Sequence, residues 1–135
     1  MLNGAVALFL GVGPLGTGIP LPLREEIDMG IYELRTYTLA SREDLDFYKD
    51  VVYPRHASSS KEFGIGGHGI WTGPQDEEPR LYVLASYPEG SDPDELGMRY
   101  MQSPGFASDI EDFDVSKIVG VEVKRLTPTA SSPLQ

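Results

Sequence analysis

The feature that most constrains this chain is the order in which its hydrophobic period changes. From Gly30 to Leu39 the residues alternate, with Tyr32, Leu34 and Thr36 on one face and Ile31, Glu33, Arg35 and Tyr37 on the other, which predicts a strand. Ser41 then opens a helix: its hydroxyl is placed to cap an orphan backbone N–H, and Asp44 stands at the capping-box position three residues on. Leu45, Tyr48 and Val52, with Val51 alongside, form the stripe to be buried. Pro54 predicts a kink or restart at Tyr53, and Gly64 a stop. Ile65 to Gly73 and Arg80 to Tyr87 flank a polar turn and read as a hairpin. Asp92-Pro93-Asp94-Glu95 starts a second helix ending near Gln102, and Ser103-Pro104 repeats the same grammar for a short helix that turns Phe106, Ile110 and Phe113 inward. Ser116 to Leu126 is the last strand. Its alternation sets Val119, Val121 and Val123 on one face and Ile118, Gly120, Glu122 and Lys124 on the other.

The resulting order, β-α-β-β-α-β, predicts an α+β fold of the ferredoxin-like type, an antiparallel sheet with both helices on one face. The other face is left bare in a small chain. Pairing with a second copy, sheet to sheet, is the expected cover, giving a homodimer built as an α+β barrel with an internal cavity. The 135 residues leave room for one domain. It is expected over residues 29–128, with a polar tail at 129–135 and an apolar, Gly/Pro-rich extension at 1–28, read as an arm or as sequence upstream of an internal start at Met29. In that extension Gly11-Val12-Gly13-Pro14-Leu15-Gly16 matches a dinucleotide fingerprint, but Thr17-Gly18-Ile19-Pro20 follows where a helix must begin, so nucleotide binding is not expected. The run Ala5 to Leu10 has no preceding Lys or Arg and is too short to span a bilayer, so a cytoplasmic location is expected. With 11 Lys and Arg against 21 Asp and Glu, the formal charge of −10 argues against nucleic acid and membrane partners. The absence of cysteine removes disulfides, thiolate nucleophiles and zinc-thiolate sites.

Met29-Gly30-Ile31-Tyr32-Glu33-Leu34-Arg35-Thr36-Tyr37-Thr38-Leu39 resembles the opening strand of NIPSNAP-family proteins. Phe113-Asp114-Val115-Ser116-Lys117-Ile118-Val119-Gly120-Val121-Glu122-Val123 resembles the closing strand of that family's bacterial members. By element order the resemblance runs from about Met29 to Pro128. It implies the dimeric α+β barrel, a group that includes cofactor-free monooxygenases, polyketide cyclases, lactone isomerases and haem-dependent enzymes.

Histidine is the side chain that titrates near neutral pH unaided, and the chain has two. His68, in Gly66-Gly67-His68-Gly69, either faces a pocket opened by its glycine neighbours or sits on a strand whose glycines serve a bulge; a one-residue bulge reverses its face. His56 follows the Pro54 kink, as a pocket residue or as a cation at a helix C-terminus. Glu33 and Arg35 share one face of the first strand, and Glu122 and Lys124 share a face of the last; cross-strand ion pairing accounts for them more simply than catalysis. If the barrel holds an aromatic or polyketide-like ligand, Arg35 would hold an enolate or phenolate, His68 would move the proton, and Tyr37 or Tyr82 would donate a hydrogen bond. Glu33, Trp71, His56 and Glu122 complete the expected ligand contacts. The acidic groups Asp92, Asp94, Glu95 and Asp109, Glu111, Asp112, Asp114 follow no calcium-loop pattern and read as helix starts and solvated faces, so no metal is expected. The expected function is a cofactor-independent enzyme on a small apolar metabolite, working by cyclisation, isomerisation or oxygenation. Haem at His56 or His68 is the minor cofactor alternative, and a non-catalytic binding or adaptor protein is the alternative class.

Overall fold

Strand β1 (Ile31–Leu39) occupies the middle of the sheet because every second residue has something to bury against helices. Residues 30–135 are described, in a computed structural model; the expected extension and its glycine motif lie outside them. Ser41 caps α1 (Arg42–Phe47), its Oγ accepting from the Asp44 N–H at 3.0 Å. The capping box closes side chain to side chain, with Ser41 Oγ donating to Asp44 Oδ2 at 2.8 Å. Pro54 does not break the helix. The chain instead widens into a π-helical turn (Tyr48–Val52), which accommodates a proline lacking an N–H, and continues as α2 (Tyr53–Ser59) and a 3₁₀ turn (Ser60–Phe63). Gly64 ends the run at φ 78°, where a side chain is strained.

The hairpin β2 (Gly66–Thr72) and β3 (Arg80–Tyr87) follows. Asp92 caps α3 (Pro93–Met101), Ser103 caps α4 (Pro104–Asp109), and a 3₁₀ turn (Val115–Lys117) leads into β4 (Ile118–Leu126). The sheet order is β2-β3-β1-β4 and every pairing is antiparallel, the expected ferredoxin-like arrangement. Arg42 anchors the tip of the hairpin through the Asp76 carbonyl at 2.6 Å. The C-terminal segment returns to β1, where Tyr32 Oη donates to Gln135 O at 2.8 Å.

Between sheet and helices lie two apolar clusters. Tyr37, Leu39, Leu81 and Val83 of the sheet meet Leu45, Tyr48 and Val52 of the first helical run, and Ala85 and Tyr87 meet Ile65, Tyr100 and Met101. Burial of a Val- or Leu-sized side chain in such a layer contributes roughly 1.5–3 kcal/mol. Leu34, Thr36, Tyr82 and Leu84 alternate with those core residues and point to the opposite, helix-free face.

Two irregularities shift the faces read from sequence. In β2 the register steps from Gly67↔Ala85 to Gly69↔Leu84, so His68 is an extra residue in a bulge. In β4 the register shifts where Thr38 pairs Gly120 and Leu39 pairs Ile118, leaving Val119 61% exposed. Ile118 therefore packs on the core with Val121, and the next residues on that face are Val123 and Arg125. Glu122 and Lys124 stand on the helix-free face, opposite Thr36 and Leu34.

Candidate functional site

A cavity of about 370 Å³ opens between the helices and the inner face of the sheet. Arg35, Tyr37 and Tyr87 line its sheet side; Tyr48, Tyr53 and His56 line its helical side. It is formed within one chain, between that chain's own helices and sheet.

The sheet wall rests on a buried charge network. Arg35 Nε donates to Tyr37 Oη at 2.7 Å, and Nη1 donates to Glu33 Oε1 at 3.1 Å. Glu33, fully buried, also accepts from Tyr87 Oη at 2.9 Å and from Arg125 Nη2 at 2.8 Å; Arg125 reaches on to Asp94 at 3.3 Å. Cross-strand pairing was the right account of Glu33, but its β4 partner is Arg125 rather than Lys124, because the bulge shifts the strand's phase. Burial works against the Arg35 guanidinium, yet the oxygens of Tyr37, Tyr87 and Glu33 more than offset it and its pKa rises.

The helical wall presents His56. Its Nδ1 lies 2.9 Å from Asp109 Oδ2, an oxygen that also accepts from Ser59 Oγ at 2.5 Å and from Tyr100 Oη at 3.3 Å. The imidazole stacks on Phe106 with centroids 4.9 Å apart and planes 2° from parallel. Burial lowers the His56 pKa below 6.5, and the Asp109 carboxylate, pulling upward, does not overcome it. A carboxylate only accepts, so the proton of the neutral ring sits on Nδ1 and the lone pair on Nε2. Nε2 has no partner among the described residues and is not sealed from solvent. Burial also raises the pKa values of Tyr48, Tyr53, Tyr87 and Tyr100, which stay protonated as donors at neutral pH.

The structure thus brings Arg35, Tyr37 and His56 to one cavity, with Glu33 directly behind Arg35. The other expected contacts are elsewhere. His68 is exposed on the helix-free face, its Nε2 2.7 Å from Ser86 Oγ and its ring 5.4 Å from that of Tyr32. Trp71 pairs with Tyr82 on the same face, 53% exposed, and lies over Gly69, where a Cβ would clash with the indole. Tyr82 donates to Asp76 at 2.7 Å, and Glu122 is exposed across from Thr36. The bulge at His68 is the physical reason that His68 cannot share a cavity with Arg35. Among the described residues no group of three His, Asp or Glu is placed to hold a metal ion, and no helix is long and apolar enough to cross a membrane.

Tyr100 and Ser59 were not singled out in the sequence, and Asp109, expected on a solvated acidic face, is instead buried against His56. One signal was present: Asp109 lies three residues after Phe106 on the same short helix, so turning Phe106 inward turns the carboxylate inward with it. An acid on an inward face calls for a buried partner, here His56.

No family model and no curated protein matches the chain. Solved structures do. A NIPSNAP family protein from Agrobacterium tumefaciens superposes with a TM-score of 0.65 at 23% identity, covering 78% of this chain and 94% of that one. A NIPSNAP domain protein from Burkholderia xenovorans gives a TM-score of 0.58 at 20% identity, covering 76% and 98%. A proposed antibiotic biosynthesis monooxygenase from Caulobacter crescentus gives 0.51 at 12% identity, covering 80% and 98%. With its sheet order and helix placement, the chain has the NIPSNAP-like ferredoxin fold.

Proposed function

We propose that this protein is an enzyme acting on a small, planar, largely apolar metabolite, with His56 as the group that accepts and returns a proton. The observation that carries this reading is the placement of His56: Asp109 lies on its Nδ1, and the residue lines an apolar cavity of about 370 Å³. Cavities of roughly 300–1,000 Å³ with few convergent polar groups suit small ligands. A base oriented by a carboxylate, with its lone pair toward the ligand, is the arrangement that general-base catalysis needs. Arg35, the cation of the sheet wall, would stabilise the enolate or phenolate left when His56 removes a proton.

Cyclisation and isomerisation both proceed from such an anion, and oxygenation of an electron-rich ring begins with the same deprotonation. Cyclisation and isomerisation would draw on protein groups alone, whereas oxygenation would also consume dioxygen as oxygen source and oxidant. Were haem bound in the cavity, His56 would be the residue to hold it, because His68 faces away, and the haem would supply one-electron and oxygen chemistry. The helix-free face, with Trp71 exposed, supports a homodimer joined sheet to sheet, each copy keeping its own cavity. The same exposed face also favours the adaptor reading, in which a partner protein binds there and the cavity does no chemistry.

The test starts with protein purified from its own host and examined by native mass spectrometry for a retained metabolite. That compound is then incubated with enzyme in D₂O. The expected result is deuterium incorporation that falls about 10²–10⁴-fold in His56→Gln and is also reduced in Arg35→Met. Equal incorporation in wild type and His56→Gln would refute the role of His56, and a haem absorption band would replace the cofactor-free mechanism.

A further inference from the structure

Tyr48 opens the π-helical turn, and the proton transfer proposed above makes no use of it. The residue is 3% exposed, with its ring packed against Tyr37, Tyr53 and Phe113 at centroid distances of 5.6, 5.7 and 5.3 Å. Its hydroxyl nevertheless meets no hydrogen-bond partner among the described residues, nor is it one of the polar atoms sealed off without a partner, of which Arg125 Nε is the case among described side chains. Tyr48 lines the cavity. A buried phenol is ordinarily hydrogen-bonded, and leaving it unpaired is costly. The partner is therefore whatever fills the cavity.

Three other phenols of the cavity are committed: Tyr37 accepts from Arg35, Tyr87 donates to Glu33, and Tyr100 is held by Asp109 and Ser59. Tyr48 and His56 are eight positions apart on one helical run. In a regular α-helix that spacing overshoots two turns by about 80°. The π-helical turn winds less per residue and closes the gap, setting the two rings edge to face with centroids 6.3 Å apart.

We infer that Tyr48 Oη is a second ligand-contacting group, donating a hydrogen bond to an oxygen of the bound molecule. The cavity thereby selects hydroxylated or carbonyl-bearing aromatics over hydrocarbons of the same shape. This rests on the cavity beside His56 being the binding site. Burial keeps the phenol protonated at neutral pH and so available as a donor.

The test compares 2-naphthol with 2-methylnaphthalene, which has a methyl group in place of the hydroxyl, by fluorescence titration of wild type and Tyr48→Phe. Wild type is expected to bind 2-naphthol about five- to tenfold more tightly. In Tyr48→Phe the ratio is expected to fall to near one, with 2-methylnaphthalene binding unchanged. A preference that survives Tyr48→Phe overturns the inference. So does a wild-type ratio of one, a result that needs no variant to fold. If neither compound binds wild type, the cavity reading fails and the inference falls with it.

Discussion

At the residue scale the decisive groups are two buried ones, His56 and Glu33. Because burial holds His56 neutral, its folded pKa lies below the 6.5 of an unfolded histidine. Between those two values the unfolded chain binds more protons, so stability is full above pH 6.5 and declines as pH falls through the window. The melting temperature of wild type is expected to drop more steeply than that of His56→Gln between pH 7 and pH 5; parallel slopes would show that the imidazole is not held neutral. In catalysis the same lowered value puts the acid limb of the kcat/KM profile below pH 6.5. Glu33 binds Arg35 and Arg125 at once and is fully buried. Glu33→Gln keeps the shape but leaves two buried guanidinium groups without their shared carboxylate, which is expected to lower stability by about 3–5 kcal/mol. Urea denaturation measures it, and a loss well under 1 kcal/mol would show that the network contributes nothing to the fold.

At the element scale the capping residues and alternation made most of the architecture readable. Ser41, Asp92 and Ser103 each cap the helix expected of them, and β1 places Glu33, Arg35 and Tyr37 on one face. The expectations failed where an element gained a residue. Bulges at His68 and at the start of β4 are set by pairing with β3 and β1, so neither strand carries the information alone. The π-helical turn is likewise a response to Pro54 and to packing against the sheet. Gly64 is a stop that local sequence does specify: its φ is 78°, and an added Cβ would meet Pro88 Cγ at 2.8 Å. Gly64→Ala is expected to cost about 1–2 kcal/mol. Gly90, at φ 81° with open space around it, gives the control for backbone strain without the contact. Equal losses at the two positions would remove the role assigned to Pro88.

At the scale of the whole molecule the sheet separates two surfaces with different work. The inner surface holds the cavity; the outer one carries His68, Trp71, Tyr82 and Glu122. The ferredoxin-like order was legible because each strand and helix announces itself locally. The site was only half legible, since Arg35 and Tyr37 share a strand, whereas His56 and Asp109 are 53 residues apart and meet only through the packing of α2 on α4. On this account Trp71 belongs to the dimer contact, so Trp71→Asp is expected to shift wild-type dimer toward monomer in sedimentation equilibrium while leaving ligand binding intact. A variant that stays dimeric would move the interface elsewhere. The central claim, that ligand sits between helices and sheet beside His56, is most directly tested by NMR of the two imidazoles during titration with 2-naphthol. The account predicts that the ring signals of His56 move with ligand while those of His68 stay fixed; movement of His68 alone, or of neither ring, would contradict it.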